Sequence, residues 1–347
     1  MVNIKILIVG YFQYEWYEEA WAKVLSELGY SVTRFNISNY YFNSFIRNLS
    51  LRKRLSYLTN TIEKSFIQHF EKVKPQITIF YKGYHFNSRV FKEVKYKTWI
   101  TGYDNDDLFG GHTHWYVKQK VLKCLPYYDS YHCYREKNLS EYKSFISNVG
   151  LLRSYYLPWL HYPSSTQFTK NKRNDIVFIG HAEDDKRLDF IENLINNGYP
   201  LQLYGEYMNW ARYLHKELLS KLPAPYPVYG DIYRKTINDS KICLSFFSNK
   251  NNDTYTRRVF EIPACGGFLL STRTDTMKEL YEEGKEAEFF SSKEELIDKI
   301  RYYLANGEVR EKIAIAGYER CIKSGYDIYS RMKQWLHDIE KFRLHST

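Results

Sequence analysis

The sequence predicts an α/β protein made of two similar units, each with a parallel sheet covered by helices. The first observation is a strand-helix-strand pattern at the N-terminus, where the apolar run 4–9 precedes a helical periodicity. The second is that this pattern restarts at 175–180, after a segment with two prolines and no period. The third is the length of 347 residues, which exceeds what one hydrophobic core usually organises.

The first unit is expected to span residues 1–160. After the strand at 4–9, residues 15–28 carry apolar side chains at helical spacing, and Gly29 is a typical helix end. Strands alternate with helical stretches along the rest of this unit, which favours a parallel sheet. The further strands are predicted at 30–37, 76–81, 98–102, 130–134 and 155–157.

The segment 158–174 is predicted to be a linker, and the second unit is expected to span 173–325. Its alternating pattern again indicates a parallel sheet. Strands are predicted at 175–180, 201–205, 242–247 and 268–271, and helices at 186–197, 210–222, 234–240, 293–304, 308–321 and 326–342.

The composition narrows the class of protein. A formal net charge of +10 favours anionic partners such as nucleotide diphosphates, anionic lipids, acidic glycans or nucleic acid. No run approaches the roughly 20 apolar residues of a membrane span, and the N-terminus lacks a signal-peptide pattern. Five cysteines without a CxxC motif predict a reduced, cytoplasmic protein. The missing Gly-x-Ser-x-Gly, Walker and GxGxxG motifs disfavour hydrolases, P-loop proteins and dinucleotide oxidoreductases.

Residues 253–271 (DTYTRRVFEIPACGGFLLS) form the most informative segment. The pattern predicts a short helix between two strands, opened by Asp253 and Thr254 and closed by a glycine pair. A helix start favours a diphosphate through its free N–H groups, and Arg258 would add a fork-shaped charge. A carboxylate such as Glu261 can hold a ribose diol. The segment therefore predicts a nucleotide-sugar site, the alternative being a salt-bridged helix end packed by apolar neighbours.

This segment resembles the donor-binding signature of GT-B glycosyltransferases of group 1, most closely their CgeB-like (spore-maturation-protein-related) branch. In that group two glutamates stand eight residues apart and the second binds ribose hydroxyls. Glu261 matches the second, and Asp253 stands in place of the first. The segments GYDNDDLFGG, LPYYDSYHCYREKN and YYLPWLHYP resemble the same branch. The resemblance implies two Rossmann-like domains facing each other across a cleft, with 326–347 returning to the N-terminal acceptor domain.

The resemblance also implies a UDP-, GDP- or dTDP-linked sugar as the donor, with no cofactor or metal required. Residues 254–256 would bind diphosphate or sugar, and Lys186 or Arg187 would add charge beside the diphosphate. The alternative for Lys186 and Arg187 is a solvated, charged turn. Tyr229 or Tyr233 would contact the nucleotide base. The predicted donor-binding residues are Glu261, Asp253, Thr254, Tyr255, Thr256, Arg258, Gly180, His181, Lys186, Arg187, Tyr233 and Gly266.

Asp104 and Asp106 form a DxD motif in the first unit. In a GT-B protein this loop follows a strand, and one of the two carboxylates would orient or deprotonate the acceptor. A carboxylate base would be needed only if the reaction inverts the configuration of the sugar. In a GT-A protein the same motif would hold Mn or Mg. His112, in an HxH motif, is a candidate base, the alternative being a polar loop. The predicted catalytic residues are Asp104, Asp106, His112 and Arg258, with no metal ligand.

Residues 45–73 are basic and amphipathic, which predicts either peripheral contact with an anionic membrane or an ordinary surface helix. The predicted function is transfer of a sugar from a nucleoside-diphosphate sugar to a hydroxyl of a glycan, lipid-linked or protein-linked acceptor. Two alternatives stay open. One is a glycosyltransferase acting on nucleic acid, which the net charge permits, and the other is a non-catalytic binding protein of the same fold.

Overall fold

A computed structural model describes residues 4–41, 56–164 and 174–345, which fall into two compact units. One unit consists of Met1–Arg153 with Ile328–Thr347, and the other of Ser154–Asp327. Each contains a parallel sheet, which confirms the predicted α/β class. Residues 42–55, with most of the basic positions predicted to contact a membrane, and linker residues 165–173 lie outside the described residues.

The first unit is built on a parallel sheet in the order β2-β1-β3-β4-β5-β6. Its central strands are continuous apolar runs, as expected for strands covered on both faces, and every residue of ITIFY in β3 is buried. Along the chain the elements are β1 (Lys5–Gly10), α1 (Glu18–Glu27), β2 (Ser31–Asn36), α2 (Ser56–Val73), β3 (Ile77–Tyr81), α3 (Ser88–Val94), β4 (Trp99–Asp104), α4 (Trp115–Leu122), β5 (Ser130–Cys133), α5 (Glu136–Lys143) and β6 (Val149–Leu151).

The C-terminal helix, Ile328–Leu344, packs on this first unit although it follows the second in sequence. Trp335 is fully buried, and its ring lies 6.1 Å from the ring of Trp21 in α1. The side-chain amide of Gln334 donates a 2.9 Å hydrogen bond to the carbonyl of Leu151. The first unit is therefore completed by the end of the chain.

The second unit is built on a parallel sheet in the order β11-β10-β9-β7-β8. It has its own apolar core, in which Trp210, Ile242 and Leu270 are fully buried. Its elements are β7 (Asn174–Ile179), α6 (Lys186–Asn196), β8 (Leu201–Tyr204), α7 (Tyr207–Tyr213), α8 (Lys216–Leu219), α9 (Gly230–Asn238), β9 (Ser240–Ser245), α10 (Arg258–Ala264), β10 (Leu269–Thr272), α11 (Asp275–Leu280), β11 (Glu288–Phe290), α12 (Lys293–Ala305) and α13 (Gly307–Lys323).

Two predicted elements are wrong in detail. The strand predicted at 155–157 is absent from this described stretch, where Tyr156 makes only an isolated bridge to Asp327, and the first sheet ends instead with β6. The helix predicted at 210–222 is divided into α7 and α8, because Leu214 adopts an extended backbone with φ −95° and ψ 135°. Both errors lie where tertiary contacts override the local pattern.

The parallel arrangement brings the carboxyl ends of several strands to one edge of each sheet, where ligands bind in open α/β folds. In the first unit, β1, β3 and β4 end at Gly10, Tyr81 and Asp104. In the second unit, β7 and β9 end at Ile179 and Ser245. The candidate site residues follow these strand ends. Within the described ranges, no helix combines the length and the apolar character needed to cross a membrane.

Candidate functional site

The signature helix α10 begins at Arg258, five residues later than its predicted opening at Asp253. The backbone N–H of Asp253 donates a 2.9 Å hydrogen bond to the carbonyl of Ser248, which closes a turn after β9. The carbonyl of Thr254 accepts a 2.6 Å hydrogen bond from the hydroxyl of Thr274. These contacts hold the backbone outside the helix. The predicted position of residues 254–256 at the helix start is therefore wrong, and they lie in the preceding loop.

The side chains of residues 254–256 have different environments. Thr254 is exposed. Tyr255 is buried with its ring 5.7 Å from that of Phe260, so it contributes to the core. The hydroxyl of Thr256 lies 3.5 Å from that of Ser245 at the end of β9. Thr254 therefore lies at the surface, and the hydroxyl of Thr256 lies at the end of β9.

The glycine pair ends α10 as predicted. Gly266 has a φ of 76°, which an L-residue adopts only at a cost. Its N–H donates to the carbonyl of Pro263 at 2.7 Å, and the N–H of Gly267 donates to that of Ile262 at 2.9 Å. This pair of bonds is a Schellman motif. The observed contacts of Gly266 are thus those of a helix terminus that directs the chain into β10.

Glu261 lies on α10 and is only 2% exposed. Its Oε2 accepts a 2.6 Å hydrogen bond from the hydroxyl of Tyr233 on α9, and its Oε1 pairs with Nε of Arg257. Burial opposes ionisation of the carboxyl, but the charges of Arg257 and Arg258 and the tyrosine hydrogen bond outweigh it and lower the pKa. Glu261 is therefore a carboxylate held in one orientation. Tyr233, predicted to contact a base, is directed at this carboxylate, while Tyr229 is exposed.

His161 lies beside this carboxylate and was not singled out by the sequence analysis. It is buried, and its Nδ1 accepts a 2.9 Å hydrogen bond from the backbone N–H of Leu157. Its Nε2 lies 3.7 Å from Oε1 of Glu261, and its ring packs edge-on to that of Tyr233. Burial lowers the pKa of His161 to about 4, so the ring is neutral at neutral pH and carries its proton on Nε2.

Arg258 is the first residue of α10, one position beyond the arginine that pairs with Glu261. Its Nε is buried and has no hydrogen-bond partner in the part of the chain that the structure describes. Partial burial, and after it the charge of Arg258, lower the pKa of His181 in the loop after β7. Arg258 is thus a cation, close to the predicted ribose carboxylate, with hydrogen-bonding capacity left over for an anion.

The loop after β7 is organised by Arg187, which is itself buried. Its guanidinium forms a two-point ion pair with Asp185, at 2.9 and 3.0 Å, and donates a 3.0 Å hydrogen bond to the carbonyl of His181. The side chain of Asn209 binds the backbone N–H of Ala182 at 2.7 Å. Arg187 is therefore engaged in holding this loop, which begins at Gly180.

Lys186 differs sharply from its neighbour Arg187. It is exposed at the first position of α6, and Asp185 caps that helix by accepting a hydrogen bond from the backbone N–H of Arg187 at 3.1 Å. The sequence did not decide between Lys186 and Arg187 as the cation beside the diphosphate. Of these two, Lys186 is exposed to solvent and Arg187 is buried.

The first unit carries a separate polar cluster where β3 and β4 end. Asp104 is 1% exposed, and its carboxylate accepts hydrogen bonds from the hydroxyl of Tyr84 and, at 2.8 Å, from the backbone N–H of Asp106. Nζ of Lys82 lies 2.7 Å from Oδ2 of Asp106. Burial, with the charge of Asp106 second, raises the pKa of Asp104 to about 7. Burial opposes ionisation of Asp106, but Lys82 lowers its pKa overall.

The neighbours of this cluster are also polar and buried. His85 is bound at its two ring nitrogens by the hydroxyls of Tyr11 and Tyr41. Glu18 accepts a 2.9 Å hydrogen bond from the backbone N–H of Tyr11, and its raised pKa reflects burial first. His112, by contrast, is exposed in the loop before α4. In the three described ranges, no group of three or more His, Cys, Asp or Glu side chains is arranged to hold a metal ion.

The fold of the chain is that of the GT-B glycosyltransferases, with two parallel sheets and their surrounding helices. Residues 186–337, which include α10, match the family model described as glycosyl transferase-like. A comparison with the curated proteins finds no match.

Three solved structures illustrate the similarity of fold. Sucrose-phosphate synthase from Thermosynechococcus elongatus superposes with a TM-score of 0.71 at 10% identity, over 99% of this chain and 100% of that one. A glycosyltransferase from Rickettsia africae gives 0.68 at 14% identity, over 99% of both chains. Anabaena HepE in complex with UDP and glucose gives 0.65 at 12% identity, over 97% of this chain and 100% of that one. At such identities the likeness establishes the fold.

Proposed function

We propose that this protein is a glycosyltransferase that moves a sugar from a UDP-sugar to a hydroxyl acceptor. The observation that carries the proposal is the arrangement on α10. The carboxylate of Glu261 is held in place there, and Nε of Arg258 has no hydrogen-bond partner in the described part of the chain. This helix lies inside the segment that matches the glycosyl transferase-like family. Uracil is proposed as the base because the similar HepE structure contains UDP.

In the proposed donor complex, Glu261 accepts hydrogen bonds from ribose hydroxyls, since a carboxylate is an acceptor only. Arg258 and the exposed Lys186 face the diphosphate, and the hydroxyls of Thr254 and Thr256 bind diphosphate or sugar. Arg187 contributes indirectly, because its bonds to Asp185 and His181 fix the loop that precedes Lys186.

The chemical role of Arg258 and Lys186 is to stabilise the charge that develops on the diphosphate as the glycosidic bond breaks. In the proposed complex these two cations supply the stabilisation that a divalent metal gives other transferases. We therefore propose that transfer does not require a metal. The proposal rests on the position of Arg258, three residues before Glu261 on α10.

The polar cluster of the first unit is proposed to bind the acceptor hydroxyl, which belongs to a glycan, a lipid-linked sugar or a protein-linked sugar. Asp106 stays ionised beside Lys82, whereas Asp104 holds a proton until near neutral pH. A carboxyl that titrates near neutrality suits proton transfer, because its pKa is close to the working pH. Asp104 is thus the proposed group that orients the hydroxyl and takes its proton.

The decisive experiment measures binding of UDP and of a panel of UDP-sugars by thermal shift and calorimetry, with and without EDTA, on wild type and Arg258→Met. We expect UDP to bind with or without EDTA. We expect Arg258→Met to weaken UDP about 10- to 100-fold, because a hydrogen bond to a charged group contributes about 1.5–3 kcal/mol. Arg301→Met, which removes an exposed arginine of α12, is the matched control and should bind UDP as wild type does.

Other outcomes have definite meanings. Binding of no UDP or UDP-sugar by wild type would contradict the proposed donor site. A shift that disappears in EDTA would contradict metal independence and favour a metal held by Asp104 and Asp106. Binding without release of UDP from any UDP-sugar, tested with a mixture of glycan and lipid-linked acceptors, would favour a non-catalytic binding protein.

A further inference from the structure

His161 presents an unused hydrogen-bond donor beside the carboxylate of Glu261. Its Nδ1 is occupied by the backbone N–H of Leu157 at 2.9 Å, so the neutral ring carries its proton on Nε2. That nitrogen lies 3.7 Å from Oε1 of Glu261, which is beyond hydrogen-bond length. No other acceptor among the described residues forms a hydrogen bond with Nε2. His161 as a whole is only 7% exposed, so this donor belongs to a largely buried side chain beside the carboxylate.

The two groups are complementary to a hydroxyl. The carboxylate of Glu261 can only accept hydrogen bonds, and the Nε2–H of His161 can only donate, whereas a hydroxyl does both. A separation of 3.7 Å between nitrogen and oxygen is short enough for one hydroxyl oxygen to lie within about 2.7–3.0 Å of both atoms. We propose that His161 Nε2 and Glu261 Oε1 together bind one hydroxyl of the donor ribose, so that His161 is a ribose ligand and sets the preference for ribose over deoxyribose.

This assignment rests on the proposed function, in which Glu261 binds the ribose of UDP. The surroundings support an uncharged hydroxyl as the ligand at this point. Arg257 already pairs with Oε1, and Tyr233 already donates to Oε2, so the charge of Glu261 is balanced without a further cation. The guanidinium of Arg258, on the same helix, is the group suited to an anion, since its Nε has no hydrogen-bond partner among the described residues. The ribose and the diphosphate therefore have separate partners along one helix.

The test compares binding of UDP, 2′-deoxy-UDP and 3′-deoxy-UDP by calorimetry in wild type, His161→Asn and His161→Gln. Asparagine places an acceptor near the position of Nδ1, which keeps the bond to the N–H of Leu157 and removes the donor at Nε2. Glutamine reaches further and places an amide N–H near the position of Nε2. The pair thus separates the structural hydrogen bond from the proposed ligand contact.

We expect wild type to bind UDP at least about 10-fold more tightly than one of the two deoxy analogues, because the missing hydroxyl bonds both His161 and the charged Glu261. His161→Asn should lower this preference about 3- to 10-fold by weakening UDP alone, since the bond to Glu261 remains, and His161→Gln should retain the full preference. Loss of affinity for all three nucleotides alike in His161→Asn would overturn the ligand role and leave a structural one. Equal affinities in wild type, or an unchanged preference in His161→Asn, would also overturn it. Absence of UDP binding in wild type would instead overturn the proposed function and the ribose assignment with it.

Discussion

The hydroxyl of Tyr233 donates a 2.6 Å hydrogen bond to Oε2 of Glu261, and both side chains are buried. One residue lies on α9 and the other on α10, 28 positions later. Because the partner is a carboxylate, the bond is charge-assisted and fixes the orientation of Glu261 in the absence of a ligand. The candidate ribose ligand is thus preorganised by a residue that the sequence analysis assigned to the base.

Replacing Tyr233 with Phe should lower both stability and UDP affinity. The carboxylate of Glu261 would stay buried and lose a donor, which is expected to cost about 1.5–3 kcal/mol of unfolding free energy. UDP binding should weaken because Glu261 is then less firmly held. Urea denaturation and calorimetry measure the two effects. Tyr303→Phe is the matched control, since Tyr303 donates a 2.7 Å bond to the buried Glu288. It should lose stability with UDP affinity unchanged, and an equal loss of UDP affinity in both variants would contradict the prediction.

The stabilising effect of Glu261 should depend on pH below about 4.5. Burial opposes its ionisation, but Arg257 and its other partners lower its folded pKa from 4.5. The unfolded chain therefore takes up the proton first as pH falls, so the contribution of Glu261 is full above the unfolded pKa and is lost as pH falls through the folded one. The difference in unfolding free energy between wild type and Glu261→Gln should shrink from pH 6 to pH 3. A difference that stays constant over this range would argue against a lowered pKa.

Asp104 should show the opposite dependence. Burial and the charge of Asp106 raise its pKa from 3.8 to about 7, so the folded state keeps a proton that the unfolded state has released. Between these values wild-type stability falls as pH rises, because the unfolded state binds fewer protons. We expect Asp104→Asn to gain stability relative to wild type between pH 5 and pH 8, and to lose sugar transfer. Denaturation at both pH values measures the gain, and an equal difference at the two would contradict the raised pKa.

Lys186 and Arg187 are adjacent cations with different expected roles. Arg187→Lys should lower the unfolding free energy by about 1–3 kcal/mol, because lysine cannot reproduce the two-point pair with the buried Asp185. Lys186→Met should change stability by no more than about 0.5 kcal/mol, as at most exposed positions, and weaken UDP binding. Thermal denaturation and calorimetry on both variants separate the roles. If Lys186→Met binds UDP as tightly as wild type, Lys186 has no part in holding the diphosphate.

Much of the fold follows from the sequence because parallel strands covered on both faces are continuous apolar runs. Residues 4–9 and 175–180 are such apolar runs, and they coincide closely with β1 and β7. Short elements were harder. The strand predicted at 155–157 is an isolated bridge of Tyr156, since a three-residue apolar run pairs only where the fold brings it a neighbour.

The candidate site was predictable where one segment contains the chemistry. The spacing and residue types of 253–271 singled out Glu261 and Arg258, and the glycine pair correctly predicted the end of α10. His161 was missed because it lies in a stretch with two prolines and no period, which predicts a linker. His161 and Glu261 are 100 residues apart in the sequence, and a local sequence pattern cannot predict that they lie close together.

The sequence by itself determined the α/β class and the carboxylate and guanidinium of the donor signature, because these depend on local periodicity and residue type. Only the tertiary structure decided how the charges are shared. It pairs Arg187 with Asp185, directs Tyr233 at Glu261 and raises the pKa of Asp104. Among the described residues it also leaves Nε of Arg258 without a hydrogen-bond partner. The physical reason is that burial and pairing of charge depend on distances between groups far apart in the chain, which are set only when the chain packs.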